Sequence, residues 1–135
     1  MRKKHLNLLE WFIDLFEFKS VFDNEGNEYV LYASNEIDDI DVIQDKTAFE
    51  AVQNHIHFID NIKSNEKSRV VDFSKKVGKL LLDALSVRYP NKHFVVFVTI
   101  DSTVIIRFHQ KWDEEPWYFM MDTIYEGTTI ICFDN

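Results

Sequence analysis

The densest run of β-branched and aromatic residues lies between His93 and Met121, and its interruptions divide it into three antiparallel strands. Val95, Val96, Phe97, Val98 and Ile100 form the first, Asp101 and Ser102 break it, and Thr103 to Gln110 resumes the same chemistry. A two-residue Asp101-Ser102 loop pairs Ile100 with Thr103, Val98 with Ile105, Val96 with Arg107 and Phe94 with His109 on one side of the sheet. The other side, Val95, Phe97, Val104, Ile106 and Phe108, is uniformly apolar and is the predicted core face. Trp112-Asp113-Glu114-Glu115 reads as the next turn, and Pro116 stands where a third strand, Trp117 to Met121, begins without needing to donate. Trp117 and Phe119 then face the core, with Tyr118 and Met120 beside Arg107 and His109. A slip of one residue at either turn exchanges the two sides.

Helical spacing predicts an amphipathic helix over residues 5–15, with Leu8, Trp11, Phe12 and Leu15 on one face and Glu10 and Asp14 opposite. A hairpin of 16–22 with 28–33 follows around the turn chemistry of Asp23-Asn24-Glu25-Gly26-Asn27; its rival is a helix continued to about Lys19. The acidic stretch Ser34 to Asp45 leads into Thr47-Ala48-Phe49-Glu50, which has capping-box spacing, and into a helix with Phe49, Val52, Ile56 and Ile59 on one face. Past the polar break 63–67, Val70, Phe73, Val77, Leu80, Leu81 and Ala84 mark a longer helix, with Gly78 off its stripe and Tyr89-Pro90-Asn91 as its stop. This helix is expected to pack on Val95, Phe97, Ile106 and Phe108. Tyr125-Glu126-Gly127 supplies a last turn and Thr128 to Phe133 a fourth strand. The reading is a single α+β domain over residues 1–135: an antiparallel meander of about four strands, plus an N-terminal hairpin, against two or three helices.

Composition sharpens this picture. A chain of 135 residues with 15% aromatics and three glycines can bury about two-thirds of its unfolded surface without staples. Cys132, the single cysteine, fits a buried inert thiol in a reducing compartment. Met1-Arg2-Lys3-Lys4 precedes an apolar run, but Glu10 and Asp14 break it, so a soluble, cytoplasmic protein without a membrane partner is expected. The net charge of −8 argues against sequence-independent nucleic-acid binding. Acid is unevenly spread: residues 1–45 carry 11 acidic and 4 basic side chains, 46–92 carry 5 and 9, and 93–135 carry 7 and 2.

His55-x-His57 has the look of a metal pair, yet on a helix the two diverge by about 200° and cannot share an ion. No Cys/His cluster, Walker loop, dinucleotide fingerprint, His-Glu-x-x-His or nucleophile elbow occurs, so no catalytic residue, metal ligand or cofactor is assigned. Arg107, His109, Trp112, Asp113, Glu114 and Tyr118 form the candidate surface, able to hold an anion or contact a partner. In the structural alternative, Arg107 pairs with a carboxylate such as Asp122 while Trp112 and Trp117 cover the core. Glu36, Asp38, Asp39 and Asp41, interleaved with Ile37, Ile40, Val42 and Ile43, form a second candidate contact, where charge would steer a basic partner. The alternative there is a solvated loop.

The segment Lys75 to Tyr118, most distinctively Thr103-Val104-Ile105-Ile106-Arg107-Phe108-His109-Gln110-Lys111-Trp112 and Glu115-Pro116-Trp117, resembles the small acidic immunity proteins of polymorphic bacterial toxin systems. It resembles in particular the cytoplasmic immunity partners of LXG-type toxins in Gram-positive bacteria, and the resemblance covers the C-terminal half. The resemblance implies a non-catalytic cytosolic protein that binds and blocks one cognate protein toxin; a basic nuclease would suit the charge. Two other readings stand beside it: a small-ligand binder or enzyme using a sheet-face pocket around Arg107 and His109 with Tyr118 and Met120, and a homo-oligomer that uses the mixed sheet face.

Overall fold

Residues 13–37, 40–120 and 125–135 are described by the computed structural model of the chain. The predicted helix over 5–15 lies outside them except for its end, where Leu15 is fully buried. Strand chemistry prevails immediately afterwards. Strands β1 (Phe18–Phe22) and β2 (Glu28–Tyr32) pair with Phe18 opposite Tyr32 and Phe22 opposite Glu28. Asp23 organises their turn: its Oδ1 accepts from the backbone N–H of Glu25 at 2.9 Å and of Asn27 at 3.0 Å, and Gly26 takes a φ of 83° that favours glycine. Phe18 packs on Tyr32 and Phe108, whereas Phe22 is exposed and Val21, on the opposite side of the strand, is buried.

The next segment departs from the helical reading. Helix α1 (Lys46–Gln53) is only eight residues long, and residues beyond it form strand β3 (His55–Ile59). Its cap is Asp45, whose Oδ1 accepts from Ala48 N–H at 2.9 Å; Thr47 is buried within the helix and Glu50 turns inward, so the capping-box assignment does not hold. Ile56 and Ile59 therefore belong to a strand, not to the face of α1. The His-Ile-His-Phe-Ile run is β-branched and aromatic, and the edge of a neighbouring strand satisfies its backbone better than further helix would.

Helix α2 (Lys67–Arg88) follows a 3-10 turn at Ser64–Glu66 and buries Ser74, Val77, Gly78, Leu81, Leu82 and Leu85. Val77 and Leu81 face inward as predicted, but Phe73 and Leu80 are about half exposed and Gly78 sits on the buried side. Following the largest side chains puts the stripe in the wrong phase, because the sheet comes closest where the helix is smallest. A Cβ at Gly78 would lie 2.8 Å from Val98 Cγ2 and 2.9 Å from Phe133 Cε2.

Strands β4 (Phe94–Ile100), β5 (Val104–Gln110) and β6 (Thr129–Asp134) complete an antiparallel sheet of order β3-β5-β4-β6. Ile100 pairs with Val104 and Phe97 with Arg107, so the loop is Asp101–Thr103, one residue longer than predicted. Asp101 explains the extra residue: its Oδ1 accepts from Thr103 N–H at 2.9 Å, a local Asx bond that a two-residue loop lacks. The shift re-sorts the faces. Phe94, Val96, Val98 and Ile100 join Val104, Ile106 and Phe108 in the core beneath α2. Val95 and Phe97 move to the other face with Ile105, Arg107 and His109, yet both are fully buried.

Phe97 is covered there by the segment predicted as the third strand. Residues 117–120 form no strand; Met121 lies outside the described residues. Pro116 offers no donor, and the Tyr118 N–H goes to His109 Nε2 at 3.2 Å rather than to a ladder. The segment instead lies on the second face, with Phe119 edge-on to Phe97 at 5.1 Å. Strand β6 pairs with β4 on the side away from β5, Cys132 opposite Phe97. The described chain is thus an α+β fold of two antiparallel sheets, two- and four-stranded, with two helices. Cys132 is half-buried, and burial pushes its thiol up to about 11, as befits an unreactive cysteine.

Candidate functional site

Helix α1 lies between the hairpin and the sheet, and the side chains of its Glu50 and of Asn54, just past its end, bind them together. Glu50 is fully buried, and its carboxylate accepts four N–H groups: Val30 N–H at 2.9 Å, Gln110 N–H and Nε2 both at 2.8 Å, and Trp112 Nε1 at 2.7 Å. One turn on, buried Asn54 accepts from Tyr32 N–H at 3.1 Å and donates to Val30 O at 2.8 Å, while its own carbonyl accepts from Phe108 N–H at 3.3 Å. Side chains thus complete the edge of β2 and the end of β5 beyond the reach of β3. Burial pushes the Glu50 carboxyl up to about 7 against the pull of its donors.

Arg107, His109 and Tyr118 do come together on the second sheet face. Arg107 Nη1 donates to Ala51 O at 3.0 Å in the last turn of α1, and its guanidinium lies 5.3 Å from the Tyr118 ring centre. His109 is 1% exposed; its Nδ1 is 2.7 Å from Gln110 O and its Nε2 accepts from Tyr118 N–H. A carbonyl only accepts, so the proton is on Nδ1 and the ring is neutral, in keeping with burial drawing its pKa down. Both nitrogens are spent on backbone. The predicted pairing of Arg107 with Asp122 involves a residue outside those described.

Trp112 leaves this group for Glu50 and for Tyr29, whose ring centre is 5.3 Å away. Asp113 and Glu114 are exposed on the turn before Glu115, which sequence reasoning passed over. Glu115 accepts from Thr47 N–H at 2.7 Å and Lys46 N–H at 3.3 Å, so it docks the 113–115 turn on the positive end of α1 beside its cap, Asp45. Tyr29 packs edge-on to Phe49, and its hydroxyl donates to Asp23 at 3.0 Å, which brings the hairpin turn to the same end. Asp45, Asp113 and Glu114 therefore lie near the start of α1, an acidic pole, while exposed Glu25 sits on the hairpin turn that Tyr29 ties to Phe49 and exposed Asp41 stands four residues before that cap. Glu36 is exposed but elsewhere: neighbouring Asn35 donates to Gln53 O at 3.1 Å, at the far end of α1. Asp38 and Asp39 lie outside the described residues.

Glu50, Asn54 and Glu115 are the polar residues that sequence reasoning missed. Glu50 carried one signal, a carboxylate beside Phe49 and Ala51 on the inward side of a short helix, which the capping-box reading absorbed. His55 and His57 are exposed on β3, where alternation puts them on one side with ring centres 5.5 Å apart, so the helical argument for their divergence does not apply. Among the described residues no group of three or more His, Cys, Asp and Glu side chains could hold a metal ion. No helix among them is long and apolar enough to cross a membrane. An open groove of about 570 Å³ between α2 and β3, floored by Ile59, Val70 and Phe73, does not include Arg107 or His109.

Fold and centre define a small α+β protein whose buried polar groups cross-link backbone segments and whose exposed Asp45, Asp113 and Glu114 lie near one another at the start of α1. The chain belongs to the family described as the Uncharacterized protein PM0498 family, whose model matches residues 7–134. Neither a curated protein nor a solved structure matches it.

Proposed function

We propose that this protein binds and neutralises a basic protein partner, as the resemblance to immunity proteins of toxin systems implies, and that it does so in the cytoplasm. The observation that carries the reading is the docking of Glu115 on α1, which sets Asp113 and Glu114 beside Asp45 although the two segments are some 70 positions apart in sequence. Like charges held together create a field that speeds encounter with a basic surface, and the Tyr29, Phe49 and Trp112 rings beneath them hold the loops in place. Exposed cations gather elsewhere, on α2 at Lys67, Arg69, Lys75, Lys76 and Lys79. A toxic domain of nuclease type, basic because its substrate is anionic, fits such a pole.

The rival reading of a ligand pocket needs Arg107 and His109 free to act, but both His109 nitrogens are engaged by Gln110 O and Tyr118 N–H, Arg107 Nη1 is held by Ala51 O, and Arg107 Nε, though unpartnered, is buried. The test is co-expression with the product of the adjacent gene. A stable complex that protects the host cell, and that associates more slowly at raised salt, is the expected result. Absence of a complex together with absence of protection contradicts the reading.

A further inference from the structure

The strand that replaces the second half of the predicted helix changes what its two histidines can do. Residues two apart on a strand point to the same side, and His55 and His57 are exposed on the outermost strand of the sheet as described. Their ring centres are 5.5 Å apart. A zinc ion about 2.1 Å from each nitrogen, with each ring centre about 1.1 Å further back, puts two centres roughly 5.2 Å apart at the tetrahedral angle. The observed spacing is already close to that of a chelating pair.

The tautomer is set as well. His55 Nδ1 lies 2.5 Å from Val52 O, and since a carbonyl can only accept, Nδ1 carries a proton and Nε2 is the nitrogen left to bind a metal. A backbone carbonyl on the rear nitrogen is the usual support of a metal-binding histidine, fixing the ring and raising its basicity. Arg107 stands opposite His55 in the sheet, and its charge opposes a dication. Its guanidinium is, however, engaged by Ala51 O and the Tyr118 ring.

We propose that His55 and His57 form a two-ligand site for a divalent transition metal of the zinc class, with its remaining positions open to water or to a ligand from a second molecule. Neither residue takes part in the acidic pole, so the site stands or falls independently of the proposed function.

The probe is zinc chloride titrated into the full chain without an affinity tag, followed by calorimetry and by the imidazole Cε1–H resonances. The expected result is one equivalent bound at micromolar concentration, the His55 and His57 signals moving together and those of His93 and His109 unmoved. His55→Ala and His57→Ala each weaken binding at least tenfold, His93→Ala leaves it unchanged, and magnesium does not compete. Exposed side chains make these variants safe to fold, which matching thermal unfolding verifies. Unchanged zinc affinity in the His55→Ala, His57→Ala double variant, or no binding up to millimolar zinc, overturns the proposal.

Discussion

Glu50 has no contact with water and holds four N–H groups drawn from β2, β5 and Trp112. Its carboxyl is pushed up from 4.5 to about 7 by burial, so the folded chain keeps a proton that the unfolded chain gives up. The contribution of this group is full below pH 4.5 and is lost as pH rises through 7, a change of about 3 kcal/mol. Urea midpoints should therefore fall between those pH values, and Glu50→Gln should flatten that part of the profile; an unaltered profile in the variant would place the titration elsewhere. Gly78 gives a second test. Alanine there gains about 1 kcal/mol of helix propensity but forces a methyl against Val98 and Phe133, and overpacking costs about 1–3 kcal/mol. A net loss of about 1 kcal/mol in equilibrium unfolding is expected, whereas stabilisation would mean that the contact yields freely.

Strands were more legible than the boundaries between them. Periodicity found the hairpin at 16–33, the β4–β5 pair, β6 and the long helix, because each buries enough apolar surface to impose its pattern. It misjudged the end of α1, where Asn54 exchanges helical bonding for bonds to β2 and β5, a tertiary contact invisible in a local window. It also misjudged residues 117–120, whose aromatic content suits a strand but whose Tyr118 and Met120 N–H groups go to His109 and to the Tyr125 hydroxyl instead of to a ladder. The one-residue difference at Asp101–Thr103 then moved Val95 and Phe97 to the face that this segment covers. Glu115 is the clasp between that segment and α1. Glu115→Ala should speed hydrogen exchange at the Lys46 and Thr47 amides and destabilise the chain by about 1 kcal/mol; unchanged exchange there would show that the helix end is held otherwise.

Of the surface predicted from sequence, Asp41, Asp113 and Glu114 are exposed and Glu36 lies apart from them, while the partition of Arg107, His109 and Trp112 depended on register and on Glu50. Arg107 and His109 brace α1 and the 117–120 segment, Trp112 braces Glu50, and Asp113 and Glu114 remain outward. An acidic pole that steers a partner acts through long-range attraction, so its signature is kinetic. The most direct test is the association rate with the adjacent gene product, measured at two salt concentrations for the native chain and for Asp41→Lys, Asp113→Lys, Glu114→Lys combined. All three side chains are exposed, so the fold should survive the reversal. Association of the charge-reversed chain should be slower by about tenfold or more at low salt, with the difference shrinking at high salt. Equal rates for the two proteins at both salt concentrations would contradict it.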